Sequence, residues 1–429
     1  MKPFLTLFIY RAILPLLFLI AFPGWILKML RRNGFGTRLN ERIGLYFEPP
    51  DFEPSGAIHI HAISVGETVI ALKLIREWEI RYPGSHFVIA TGTATGHQTA
   101  TNADLPNLRV TYAPLDFPWM LRSYLQRFSP SKIILIEGET WPNLLRIAKK
   151  QQIPVALANA RVSPRSAKRF RFFAPVIRPF FSTLSCVCIQ EEIHRDLWID
   201  LGVAPENIYL TGSIKFDPQC SDTPVPRADF AEMLASFGKN RPIILGASTF
   251  HGEETLIASA IRDADPDALP VIVPRHAERR DEVSQALTHA NFRVTLRSNF
   301  ETPLHADNHV FVIDSTGELA TWTAHADVII IGKSFLSTGG QNPAEAILAR
   351  KPLILGPHME NFQPLVKNLL SAEAALLASN SKEITAAIHQ ALQPVNSSQL
   401  TSRASDVLAA HQGSTQRHLK VLHPLTKPA

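Results

Sequence analysis

Three groups of residues in this chain have the types and spacing to do chemistry. The first is Ser64-Val-Gly-Glu67, directly behind the apolar run Ile58–Ile63. A carboxylate where a strand gives way to a helix can take the proton of a hydroxyl. It also suits a helix amino terminus for purely structural reasons. The second is Ile136-Glu-Gly-Glu-Thr-Trp-Pro-Asn143, which offers Glu137 and Glu139 behind another apolar run, together with Lys215 in Thr211-Gly-Ser-Ile-Lys-Phe-Asp217. Two carboxylates and an ammonium at one end of a sheet say more than any one of them alone.

The third group lies in the second half of the chain. Gly332-Lys-Ser-Phe-Leu-Ser-Thr-Gly-Gly340 leads into Gln341-Asn-Pro-Ala-Glu345, where Asn342 reads as a helix N-cap, Pro343 as the first helical residue and Glu345 as the third. Such a terminus can hold a nucleotide phosphate while Glu345 accepts from a ribose hydroxyl; Glu345 could equally serve only the cap. Gly246-Ala-Ser-Thr249 and Val273-Pro-Arg-His276 also close strand-like runs. Ser248 and Thr249 can approach an anion closely, and an Arg275 at a strand's carboxyl end can face a phosphate or simply the solvent.

These residues need elements to carry them. Apolar runs at 57–64, 86–91, 108–113, 132–137, 154–159, 186–190 and 208–212 read as strands, and seven more follow at 242–247, 270–274, 292–296, 309–313, 327–331, 352–355 and 374–377. Helical patterns separate them, as in Thr68–Arg81 with Val69, Leu72, Ile75 and Trp78 at helix spacing. Strands alternating with helices imply an α/β fold: two doubly wound parallel sheets, with a cleft between the domains as the natural ligand site. Asp217–Pro226, with three prolines, reads as a linker. The expected domains are therefore 36–216 and 227–429, the last helices of the second being free to pack back on the first.

Residues 1–35 differ from the rest. Ala12–Leu27 is an uncharged apolar run, preceded by Arg11 and followed by Lys28, Arg31 and Arg32. With Pro3–Leu27 it is long enough to cross a bilayer, although Pro15 and Pro23 also suit an interfacial anchor. Its flanking charges place the body of the chain on the cytoplasmic side. The stretch Arg161–Arg178 carries Arg161, Arg165, Lys168 and Arg169 among phenylalanines and no acidic residue, so it reads as a solvated basic helix or a surface for anionic lipid.

Composition excludes other classes. With 45% hydrophobic and 19% charged residues the 429-residue chain is not disordered, and a net charge of +5 does not call for nucleic acid. Three cysteines, two of them the strand-like Cys186 and Cys188, cannot build a disulfide framework or a four-thiolate zinc site. The histidines show no metal-ligand spacing, and no Walker A, dinucleotide GxGxxG or HExxH pattern occurs in the second half.

Taken together the blocks resemble the 3-deoxy-D-manno-oct-2-ulosonic acid (Kdo) transferases. They are His61-Ala-Ile-Ser-Val-Gly-Glu67, Glu137-Gly-Glu-Thr-Trp-Pro-Asn143, Asn159-Ala-Arg161, Gly212-Ser-Ile-Lys-Phe-Asp217, Gly246-Ala-Ser-Thr249 with Gly252-Glu-Glu254, Val273-Pro-Arg-His276, Gly317-Glu-Leu319, Gly340-Gln-Asn-Pro343 with Glu345, and Gly356-Pro-His358. Their order and spacing carry the likeness through nearly the whole chain. The resemblance implies a GT-B fold with an amino-terminal membrane anchor at the bacterial inner membrane. It also implies inverting, metal-independent transfer of Kdo from CMP-Kdo to a lipid A precursor, with no cofactor. Carried over, Glu67 is the general base, and Glu137 and Lys215 stabilise the transition state. CMP-Kdo is held by Pro274, Arg275, Gly317, Glu318, Leu319, Asn342, Pro343, Ala344 and Glu345, with Ser248 and Thr249. Gln341, Phe250-His251 and Ser213 depart from the family pattern. Two alternatives stay open: a GT-B enzyme using a UDP- or GDP-sugar, and a non-catalytic nucleotide- or lipid-binding protein.

Overall fold

The computed structural model describes residues 10–16, 18–20, 23–24, 38–46, 55–138, 140–162, 164–217, 224–301 and 308–426. The chain divides into two compact units, Met1–Asp217 joined by Gly413–Ala429, and Pro218–Gln412.

The first unit holds seven strands: β1 (Ile58–Ala62), β2 (Phe87–Thr91), β3 (Leu108–Tyr112), β4 (Lys132–Ile136), β5 (Val155–Ala160), β6 (Cys186–Ile189) and β7 (Ile208–Leu210). All pair in parallel, in the order β3-β2-β1-β4-β5-β6-β7. The central strands β4, β5 and β6 are mainly apolar and buried throughout because both faces are covered. Ile133 and Leu135 enter the core on one face, Ile134 and Ile136 the core on the other. Cys186 and Cys188 are buried core residues of β6.

The second unit repeats the plan with β8 (Ile243–Thr249), β9 (Leu269–Pro274), β10 (Arg293–Leu296), β11 (His309–Val312), β12 (Val328–Ile331), β13 (Leu353–Leu355) and β14 (Leu376–Leu377). These are parallel in the order β10-β11-β9-β8-β12-β13-β14. All fourteen expected strands therefore form.

In each sheet the winding reverses once, between β1 and β4 and between β8 and β12. Ligands of open α/β sheets bind at the carboxyl ends of the strands beside such a switch point. Glu67 and Glu137 flank the first; Ser248 and the loop from Gly332 flank the second. The close approach of β12 to β8 requires glycine at 332, since a Cβ there would lie 2.5 Å from Thr249 Cα and 2.6 Å from Ser248 O.

Three helices carry the first unit's candidate residues: α1 (Val65–Arg81), α2 (Pro142–Lys150) and α3 (Pro164–Phe172). In the second unit they are α4 (Glu253–Ala264) and α5 (Ala344–Leu348). The last helix, α6 (Ser414–Leu422), returns to the first unit, where Leu419 and Leu422 complete the core beneath α1. Val69 of α1, expected on the buried face, is instead 52% exposed.

Much of the expected anchor lies outside the described residues, as do Glu139 and residues 218–223 of the expected linker. Tyr10 and Arg11 are described, and both bind the first unit. The Tyr10 hydroxyl donates to Asp116 Oδ2 and Arg11 Nε donates to Asn143 Oδ1, each at 2.8 Å. Among the described residues no helix is long and apolar enough to cross a membrane.

Candidate active site

In the first unit β1 runs into α1, whose N-cap is Ser64. Glu67 is buried there, and its carboxylate is well defined by its donors. Oε2 accepts from the Ile63 N–H at 2.8 Å and Oε1 from the Ser64 hydroxyl at 2.8 Å. These two bonds orient the carboxylate. They fit the structural reading of Glu67, a carboxylate held at a helix amino terminus.

At the end of β4, Glu137 adopts the left-handed backbone conformation, φ 62°. Burial raises its carboxyl pKa, opposed by the charges of Arg161 and Lys215. Lys215, in the turn after β7, is exposed, yet the protein around its ammonium partly desolvates it and pulls its pKa down to about 8 against the pull of Glu137. The three form one electrostatic cluster. Arg161 was expected with the basic surface that follows it; the structure instead ties its backbone N–H to Glu137 O at 3.1 Å and sets its charge beside that carboxylate. Lys168, Arg169 and Phe172 are exposed on α3, as is Phe173 just beyond it, while the Arg165 side chain lies outside the described residues.

Helix α2 opens at Pro142, as expected, but its cap comes from elsewhere. Asp116 accepts from the N–H groups of Asn143 and Leu144, both at 3.0 Å, and burial lifts its pKa to about 6. Nothing local in the sequence signals that cap.

In the second unit a cavity of about 290 Å³ opens at the switch point. Ser248, Arg275, Leu319, Gln341, Asn342 and Glu345 line it. Burial raises the Glu345 carboxyl, and the positive charge of Arg275 opposes the rise. The site therefore pairs a cation for a phosphate with a carboxylate able to accept from a hydroxyl. Arg275 is set by its own N–H, which donates to Thr249 O at 3.0 Å.

The cavity does not collect every expected residue. Thr249 is 0% exposed and its hydroxyl donates to Glu254 Oε1, so it positions Arg275 through its backbone rather than meeting a ligand. Glu318 turns to Arg227 and Arg297, 3.6 Å from each, and accepts from the Ser315 hydroxyl. Pro274, Gly317, Pro343 and Ala344 shape the adjoining backbone: Pro274 ends β9, Gly317 takes φ 87°, and α5 begins at Ala344. Helix α5 starts one residue later than expected, with Pro343 at the N-cap. Asn342 still serves the end, because its Oδ1 accepts from the Ala344 N–H at 3.2 Å.

The similarity of the chain to known proteins can be set against this geometry. A sequence model described as 3-deoxy-D-manno-octulosonic-acid transferase (kdotransferase) matches residues 37–218. The 3-deoxy-D-manno-octulosonic acid transferase of Haemophilus influenzae is 31% identical over 395 residues, 91% of this chain and 92% of that one. Its counterpart in Bordetella pertussis is 33% identical over 436 residues, 96% of each chain. The chain belongs to the 3-deoxy-D-manno-octulosonic acid transferase family.

As a member of that family it is a glycosyltransferase. Solved structures agree on the fold. A glycosyltransferase from Rickettsia africae matches with a TM-score of 0.58 at 10% identity, covering 87% of this chain and 100% of that one. HepE of Anabaena, solved in complex with UDP, matches at 0.56 and 12% identity, covering 86% and 100%. Both place the Kdo transferase chain in the GT-B class. No group of three or more His, Cys, Asp or Glu side chains suited to a metal occurs among the described residues.

Proposed function

We propose that the protein transfers Kdo from CMP-Kdo to a lipid A precursor, lipid IVA, with inversion and without a metal ion. End-to-end similarity to Kdo transferases carries this reading. Two geometric features support it: the Arg275–Glu345 cavity, and the clustering of Glu137, Arg161 and Lys215 beside the strand that leads to Glu67.

In the proposed step Glu67 accepts the proton of the acceptor hydroxyl as its oxygen bonds to the anomeric carbon of Kdo. The bond from that carbon to the CMP phosphate breaks, and its electron pair leaves with CMP. Arg275 and the amino end of α5 receive the departing charge, while Glu345 accepts from the ribose. Glu137 and Lys215 balance the charge that develops on the sugar, which carries oxocarbenium character. A positioned base of this kind supplies ~10²–10⁴-fold. The exposed Lys168 and Arg169 face the anionic acceptor or its membrane, and the apolar Ala12–Leu27 run holds the enzyme at the cytoplasmic side of the inner membrane.

The test is mass spectrometry of a tetraacylated lipid A precursor incubated with the full-length protein and CMP-Kdo in detergent with EDTA. Mass increments of whole Kdo units, absent with Glu67→Gln, are expected. No increment from folded protein overturns the donor assignment, and a panel of UDP- and GDP-sugars then identifies the donor.

A further inference from the structure

Asn159, the penultimate residue of β5, takes the left-handed conformation, φ 54°, and is 0% exposed. Asparagine tolerates that conformation better than most residues. All four of its polar groups are engaged. Its N–H donates to His418 Nε2 at 3.0 Å, and its carbonyl accepts from Gln190 Nε2 at 2.8 Å. Its Oδ1 accepts from the Ile214 N–H at 2.9 Å, and its Nδ2 lies 3.5 Å from Glu137 Oε1. One side chain thus reaches the Glu137 loop with its amide nitrogen and the turn bearing Lys215 with its amide oxygen.

The other end of this bridge is held by the last helix of the chain, 259 residues further on. His418 Nδ1 donates to Ser414 O at 2.8 Å, which leaves Nε2 free of a proton and able to accept. Helix α6 is in turn pinned to the Lys215 turn. The Asp217 carboxylate accepts from the N–H groups of Gly413 and Thr415, both at 2.7 Å, and Arg417 Nε donates to Thr211 O at 2.9 Å. A residue needed only to fill the core would not have to join these two loops in particular.

We infer that Asn159, clasped from the carboxyl-terminal helix by His418, is a positioning residue that fixes Glu137 and Lys215 against one another for the transfer step. The inference rests on the reading of Glu137 and Lys215 as the groups that stabilise the transition state.

The experiment measures kcat, KM for CMP-Kdo and the pH profile of kcat on full-length variants, with melting curves beside them. Asn159→Gly keeps the left-handed backbone and removes the bridge; a fall in kcat of at least tenfold is expected, with KM for CMP-Kdo within twofold of the parent. Asn159→Asp keeps the acceptor for Ile214 and sets a second carboxylate beside Glu137, where Arg161 and Lys215 are the other charges facing it. Like charges raise both carboxyl pKa values, so the acid limb of the profile moves to higher pH. His418→Gln retains an acceptor for the Asn159 N–H and keeps most of the activity; His418→Leu does not.

Wild-type kcat and an unmoved profile in both Asn159 variants, with only a lower melting temperature, overturn the inference. Should Asn159→Gly fail to fold, Asn159→Asp and the His418 pair decide. Glu137→Gln and Lys215→Met run in parallel. If these keep full kcat, the catalytic reading fails and the inference with it. If they lose activity while the Asn159 variants do not, positioning alone is overturned.

Discussion

Ser64 and Glu67 bond each other twice. The Ser64 hydroxyl donates to Glu67 Oε1 at 2.8 Å and accepts from the Glu67 N–H at 3.3 Å. The carboxylate proposed to take the acceptor's proton is therefore the one that closes the cap of α1. Rigidity of the cap becomes rigidity of the base.

Glu67→Gln separates the two roles. The amide keeps an acceptor for the Ile63 N–H, so the melting temperature should fall by no more than ~1 kcal/mol implies for a helix cap. The rate should drop ~10²–10⁴-fold. Ser64→Ala removes a donor from the charged carboxylate and so raises its pKa. The acid limb of kcat/KM should then move to higher pH; an unmoved limb means that Glu67 is not the titrating base.

Lys215 should trade stability for activity. Its folded pKa of about 8 lies below the unfolded value of 10.5. Between these pH values the unfolded chain binds more protons, so stability rises with pH through that window, and below it the partly desolvated ammonium is a cost. Lys215→Met relieves that cost at pH 7, which solvent screening of the exposed side chain keeps small. The variant should melt higher than the parent and lose most of its turnover. Parent activity should decline as pH rises through the folded pKa.

Arg275→Ala should raise the KM for CMP-Kdo by ~10–100-fold, the worth of a charge-assisted bond to phosphate of ~1.5–3 kcal/mol. The same change deprives Glu345 of the cation that opposes its raised pKa. Weakening of donor binding at acid pH should consequently begin at higher pH than in the parent. Equal KM in parent and variant places the phosphate elsewhere.

Gly332→Ala tests the join of β12 to β8. The new Cβ meets backbone, with Thr249 Cα 2.5 Å and Ser248 O 2.6 Å away, so a strand must shift. A stability loss of ~1–3 kcal/mol is expected from such overpacking. The shift also displaces Ser248, so donor KM should rise with it in calorimetry and kinetics on the same sample.

Acid should unfold the first unit early. Burial holds His59 near 3 and both His61 and His418 near 4. The unfolded imidazoles titrate near 6.5, so the unfolded chain binds more protons below that value and stability falls as pH falls from about 6.5 toward 4. Melting temperatures across that range should show the decline. His59→Phe, which removes one of the three groups, should make it shallower.

Fourteen strands, their alternation with helices and the motifs at their carboxyl ends were all legible in the sequence. Strands buried on both faces must be continuously apolar, and the turns that follow them must carry the polar residues. That local rule located Glu67, Glu137 and Arg275 just past strand ends and Glu345 in the first turn of a helix. It could not say which strands are neighbours. Strand order put Glu67 and Glu137 on either side of one reversal, and drew Ser248, Arg275 and Glu345 around one cavity.

Long-range packing decided the rest. Arg161 looked like the first residue of a basic surface and belongs with Glu137, because β5 lies beside β4. Thr249 looked like a ligand of the nucleotide and spends its hydroxyl on Glu254. The cap of α2 comes from Asp116, and the clasp on Asn159 from His418. The sequence by itself determined which residues could do the chemistry, since side-chain type and helix or strand period are properties of short stretches. Which of them act together was set only by the tertiary structure, because burial and charge pairing depend on neighbours that the chain brings from hundreds of residues away.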